Sequence, residues 1–204
     1  MVATTAIFSS TGGTDGTPGL DDDSSLRSPV NIRFKTADDP LIDTINPIPI
    51  PGTGTNRSFW KSLFLKVTGG SFVQINNIQF FTDGTGFGTG ILVNVGDQLP
   101  IKNAAASTGY NLATGIVGTD GDEMNITTNP TTGYTGITSV TDAFSFTSGS
   151  PFAPGDSLTI SESGNIIDAV GETSNYYVFQ MEVVPAASPG DLPDETWTWQ
   201  YDEI

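Results

Sequence analysis

The stretch that decides the fold is "NYYVFQMEVV", residues 175–184. Tyr177, Phe179, Met181 and Val183 share one parity, and Val178, Gln180 and Glu182 share the other. A period of two, bulky and apolar on one side, marks a β-strand that buries one face. The same alternation recurs outward from it. "VNIRFK" (30–35) sets Val30, Ile32 and Phe34 against Asn31, Arg33 and Lys35. "NRSFWKSLFLKVTG" (56–69) sets Phe59, Leu63, Leu65 and Val67 against Trp60, Phe64 and Lys66, so both of its faces are partly covered. "GILVNVGD" (90–97), "DAFSFTS" (142–148) and "DSLTISE" (156–162) complete the set of core strands.

Two places break the rhythm informatively. In "SFVQINNIQFF" (71–81), Val73 and Ile75 have one parity while Ile78 and Phe80 have the other. One extra residue bulged at Asn76-Asn77 restores a single apolar face. "DGTG" (83–86) then reads as a tight turn that returns the chain as the strand at 90–97. Pro40, Pro47, Pro49 and Pro51 exclude a central strand in residues 40–51 and favour an extended edge or crossover. The ending "ETWTWQYDEI" (195–204) is again a strand, with Trp197, Trp199 and Tyr201 on one face. It is expected to pair with residues 175–184 and bury those rings.

Composition agrees with strands and turns. The chain has 24 Gly and 13 Pro in 204 residues and lacks the Ala/Leu/Glu/Lys runs of helices. The expected class is all-β, a β-sandwich of jelly-roll or immunoglobulin-like type. Residues 30–204 form its body, with a loop-rich excursion around 103–138. Residues 1–29 are dominated by Gly, Ser, Thr and Asp and read as a flexible or partner-ordered N-terminal arm.

The chemistry is bounded by what is missing. Without cysteine or histidine there is no disulfide, thiol or imidazole chemistry. Carboxylates alone can hydrolyse glycosides, but that needs two of them about 5 to 9 Å apart. Asp120, Asp122, Glu123, Glu162 and Glu172 all sit in turn-like contexts and no spacing selects a pair. The reading is therefore non-enzymatic. "TDGDEMN" (119–125) places Asp120, Asp122 and Glu123 around a glycine as a candidate calcium turn, without the ligand pattern of an EF-hand. No other cofactor is expected. Trp60, Trp197, Trp199 and Tyr201, if exposed, would give a glycan-binding platform, an alternative function.

The formal charge is −16, from 23 acidic and 7 basic residues. Such a surface disfavours nucleic acid and anionic membranes as partners. The bases are concentrated between residues 27 and 66. Arg27, Arg33 and Lys35, with Ile7 and Phe8 as apolar anchors on the arm, are the candidate partner-binding residues. "MVATTAIFSS" (1–10) has neither the basic nor the long apolar region of a secretory signal, so synthesis in a cytoplasm is expected.

"RFKTADDP", "INPIPIP", "SFWKSLFLKV", "INNIQFFTDGTGFGTG", "YYVFQMEVVPAASPGD" and "ETWTWQYDEI" together resemble a group of tailed-bacteriophage virion structural proteins. The "VVPAASPGD…TWTWQY" ending is also similar to the last two strands of many immunoglobulin-like modules. The phage resemblance implies a role on the outside of a virion, most readily capsid decoration, with a tail or fibre role as the alternative. It implies a major capsid or other virion protein as partner, and a homo-oligomer such as a trimer. It carries no catalytic signature. On these readings, deleting residues 1–25 should leave the melting temperature nearly unchanged, whereas deleting 196–204 should cost more than about 4 kcal/mol.

Overall fold

A computed structural model describes residues 2–10, 13–14, 17–18, 26–27, 32–36, 42, 44–58, 61–98, 137–149, 153–160, 166–174 and 176–204. Among them are strands, one short 3-10 turn and no α-helix, which is the all-β class expected. The strands are β1 (Ala3–Ser10), β2 (Gly13–Thr14), β3 (Thr17–Pro18), β4 (Leu26–Arg27), β5 (Asn56–Arg57), β6 (Lys61–Gly70) and β7 (Ile75–Phe81). They continue with β8 (Ile91–Gln98), β9 (Ile137–Asp142), β10 (Thr147–Gly149), β11 (Ala153–Asp156), β12 (Leu158–Thr159), β13 (Tyr176–Val183) and β14 (Thr198–Glu203).

β13 lies at the centre of a seven-stranded antiparallel sheet ordered β4-β1-β6-β13-β8-β9, with β5 also paired to β13. It pairs β8 along its whole length, from Tyr176 opposite Gln98 to Val183 opposite Ile91. Its other side is shared by β6 and β5. Between them, Ser58 keeps the ladder continuous: its N–H donates to the Met181 carbonyl and its hydroxyl accepts from the Met181 N–H. Tyr177, Phe179, Met181 and Val183 are buried, as their parity requires. Gln180, on the opposite parity, is buried as well and donates to the Ser58 carbonyl.

A second, three-stranded sheet is ordered β12-β7-β14. Residues of both sheets form one core, in which Leu63, Leu65 and Val67 of β6 and Val93 and Val95 of β8 join Ile75, Ile78 and Phe80 of β7. The bulge expected in β7 is present. Gln200 of β14 faces Gln79, but Asp202 faces Asn76, so β7 carries one residue more than its partner. Asn77 takes φ +50°, a left-handed conformation that asparagine tolerates better than most side chains. The extra residue lets Ile75, Ile78 and Phe80 all reach the core.

Four expectations give way to the tertiary arrangement. The terminal strand pairs with β7, not with residues 175–184, because the single face of Trp199 and Tyr201 is buried from the three-stranded sheet. The "DGTG" turn does not close a hairpin either. Residues 82–90 carry the chain from β7 in one sheet to β8 in the other, with Thr82 bonded to the Phe146 carbonyl and Asp83 accepting from the Thr85 N–H. The apolar alternation of 30–35 yields half-buried Ile32 and Phe34 packed on the core, but residues 32–35 pair in no sheet. "DAFSFTS" is not a continuous strand: Asp142 caps a 3-10 turn over Ala143–Ser145 by accepting from the Phe144 N–H.

The largest correction concerns the arm. Residues 3–10, expected to be flexible or ordered by a partner, form β1 and pair antiparallel with β6 from Ala3 opposite Gly70 to Ser10 opposite Ser62. Ala3 and Ile7 face the core. Gly70 has φ +93°, and a Cβ there would strike the Val2 carbonyl, so the start of β1 seats directly on that glycine. The Gly/Ser/Thr-rich composition of 1–29 hid a short strand attached both by main-chain pairing with β6 and by the packing of Ala3, Ile7 and Phe8. The expected tolerance to N-terminal deletion is revised accordingly. Deleting residues 2–10 uncovers the edge of β6 and removes Ile7 from the core. Thermal denaturation should then show a melting temperature lower by more than about 5 °C; an unchanged value would mean that β1 adds nothing to the core.

Candidate functional site

Proline cannot donate to a sheet ladder, so Pro-rich segments run over a sheet rather than within it. Two such segments meet here. Residues 47–51 and the link between β13 and β14, residues 184–197, wall a cleft of about 1000 Å³. Its floor is apolar, from Ile7 of β1, Leu63 of β6, Ile91 of β8 and Met181 of β13. Trp197 and Trp199 close one side. The link is held in place at Gly90, which has φ +80° and leaves no room for a Cβ against Ala187; the Val184 N–H donates to the Gly90 carbonyl.

Trp197 is the hub of this side. Its ring lies 4.8 Å from Phe179, 5.5 Å edge-on to Phe80, 6.1 Å from Phe34 and 6.3 Å from Phe144. Its indole nitrogen is buried and finds no acceptor among the described residues. An unmade hydrogen bond of this kind costs about 1–3 kcal/mol, which the aromatic contacts of the ring offset.

The mouth of the cleft is acidic, with Asp191, Asp194 and Glu195 on the link. Arg33 donates to Asp191 at 3.0 Å in an ion pair whose carboxylate is largely exposed, so it adds little to stability. Desolvation pushes the Glu195 carboxyl above its usual value, and the Asp83 carboxylate pushes in the same direction.

The candidate partner-binding residues are dispersed by the fold. Ile7 lies on the cleft floor. Phe8, on the other face of β1, stacks on Phe64 at 6.0 Å with the Lys66 ammonium 5.6 Å from its ring. Arg27 lies in β4 opposite Ser9. Arg33 is committed to Asp191, and Lys35 is 1 % exposed. Arg57 pairs with Glu182 at 2.9 Å, both side chains nearly covered, and Lys61 is buried. Lys35, Arg57 and Lys61 therefore lie largely within the fold, whereas Arg33 holds an exposed link residue. Ile7 and Phe8 likewise anchor the chain's own sheet.

Of the carboxylate candidates, Glu172 accepts from the Asp168 and Ala169 N–H groups and shapes a turn. Asp120, Asp122, Glu123 and Glu162 lie outside the described residues, as does Trp60. Among the described residues no three acids gather as metal ligands. Trp197, Trp199 and Tyr201 are half-buried and pack against the core, and the two tryptophans also line the cleft. The acidic mouth was not singled out from the sequence; the available signal was the proline content of both walls. Comparison of the chain with protein-family models, with curated proteins and with solved structures finds no match.

Glu195 gives a pH test. A carboxyl whose folded pKa is raised holds its proton more tightly in the native chain than in the unfolded one. Its ionisation therefore lowers stability as pH rises from the unfolded value of 4.5 through the folded value. Glu195→Gln should match the wild type in urea denaturation at about pH 4 and exceed it at about pH 7. A variant less stable than wild type at the higher pH would mean that the carboxylate makes a favourable contact.

Proposed function

We propose that this chain is a non-enzymatic structural protein of a phage virion that decorates or cements the outside of the capsid. The observation that carries the reading is where the phage-like stretches fall. "SFWKSLFLKV" includes most of β6, "INNIQFF" is β7, "YYVFQMEV" is β13 and "TWQYDE" is β14. The resemblance thus lies on the framework, and its implication concerns what the framework is for. The charged contacts among the described residues fit this reading. Arg57–Glu182, Arg33–Asp191 and the Glu203 carboxylate on the Ala3 N–H all tie distant parts of the chain together.

Attachment to a shell would use main-chain pairing at a sheet edge more than cationic docking, since Lys35, Arg57 and Lys61 are engaged inside the fold.

Quantitative mass spectrometry of purified particles of the phage that encodes the chain tests the proposal. Decoration requires a copy number commensurate with the capsid lattice. A few copies per particle would move the protein to the tail or a fibre, and absence from particles would end the virion reading.

A further inference from the structure

A concave cluster of apolar side chains that the core covers only in part is the common form of a binding site. In this fold such side chains converge. Ile7, Ile32, Phe34, Ile48, Ile91 and Leu192 are each half-buried against the core, and all of them line the cleft between residues 47–51 and the link. Ile42 and Ile50 line it as well and are 51 % and 37 % exposed. These residues come from β1, from residues 32–50, from β8 and from the link, so the cleft is a product of the whole fold. Its volume of about 1000 Å³ matches a site for a sizeable organic molecule.

We propose that this cleft binds an organic cation, an ammonium or guanidinium head carried on an apolar body. This goes beyond the virion reading and does not depend on it. The body of the ligand is set by the aliphatic lining. Such side chains make no hydrogen bonds, so a strongly hydroxylated body would give up bonds to water without replacement. A bare metal ion is no better served, since among the described residues no three acids gather.

The head of the ligand is set by charge. The link brings Asp191, Asp194 and Glu195 to the cleft, and Arg33 is matched to Asp191. Asp194 and Glu195 have no such partner among the described residues. Glu195 is partly desolvated and feels the like charge of Asp83, which is where a positive head gains most. Trp197 and Trp199 share the parity of Glu195 and line the same cleft, and tryptophan is the side chain whose ring attracts an organic cation best. An anionic head would meet repulsion from the same carboxylates. The link bonds to Gly90 at its start and runs into β14 at its end, so these groups are held in place before a ligand arrives.

Isothermal titration calorimetry with decyltrimethylammonium, below its micelle concentration, tests this beside tetramethylammonium, decyl sulfate and decyl maltoside. Tetramethylammonium carries the head without the body, decyl sulfate reverses the charge, and decyl maltoside presents the body under a neutral sugar. The chain should bind one decyltrimethylammonium saturably, at least about tenfold more tightly than any of the other three. Asp194→Asn/Glu195→Gln should weaken that binding about fivefold or more and leave decyl maltoside unchanged. Ile50→Ser, at an exposed position, should weaken both. Should the double variant fold poorly, Asp194→Asn alone serves instead and should weaken ammonium binding in the same direction. No binding, many weak sites that these variants leave unchanged, equal affinity for decyl maltoside, or tighter binding of decyl sulfate would each overturn the proposal.

Discussion

The contact on which the rest of the structure depends is the meeting of Phe80 and Phe179. Phe80 comes from β7 in the three-stranded sheet and Phe179 from β13 at the centre of the seven-stranded one, with ring centroids 5.3 Å apart and edge to face. Trp197 packs on both rings and brings the link before β14 against the same point. Each aromatic pair contributes about 0.5–1.5 kcal/mol beyond the area it buries. Their larger effect is geometric: they fix which faces of the two sheets look at one another. The bulge at Asn77 follows from this constraint, because without it Phe80 and Ile75 would point to opposite sides.

The two ends of the described chain meet at the edge of this core. The Ala3 N–H donates to the Glu203 carboxylate, and the hydroxyls of Thr5 and Tyr201 lie 3.0 Å apart. Ile204 exchanges main-chain bonds with Gln74 and also accepts from the Val73 N–H. β1 and β14 thus belong to different sheets yet are tied side chain to side chain. Each terminal strand adds to one sheet and braces the other, so both ends are part of the fold rather than appendages to it.

The charge pattern takes a different meaning once folded. An acidic protein with few bases has few ways of placing a cation, and here Lys35 and Lys61 are buried while Arg33 and Arg57 pair within the chain. Arg57 lies with Glu182 between β5 and β13, and Arg33 holds the link residue Asp191 beside the cleft. What remains outward is mostly carboxylate, as at Asp194 and Asp202. A surface of one sign keeps copies of the chain apart.

Local periodicity was enough for several elements. Alternation at Tyr177 to Val183 and at Leu63 to Val67 named strands and their buried faces correctly, because a period of two is a property of the strand itself. The parity change at Asn76-Asn77 even named the bulge. The cleft was far less legible. Its floor drew on strands identified from the sequence, but its walls are proline-bearing links whose position depends on where both ends of each link are anchored. Pairing partners were likewise hidden. The β14 pattern states that Trp199 and Tyr201 share a face, but not that the face is completed by β7 rather than β13. The sequence of 1–10 has too few large side chains to announce a strand, and only the vacant edge of β6 makes one. The chain by itself determined its secondary structure class and the inner faces of its strongest strands, because these follow from side-chain parity. The tertiary structure alone decided which strands meet and where the cations go, because those depend on contacts between residues far apart in sequence.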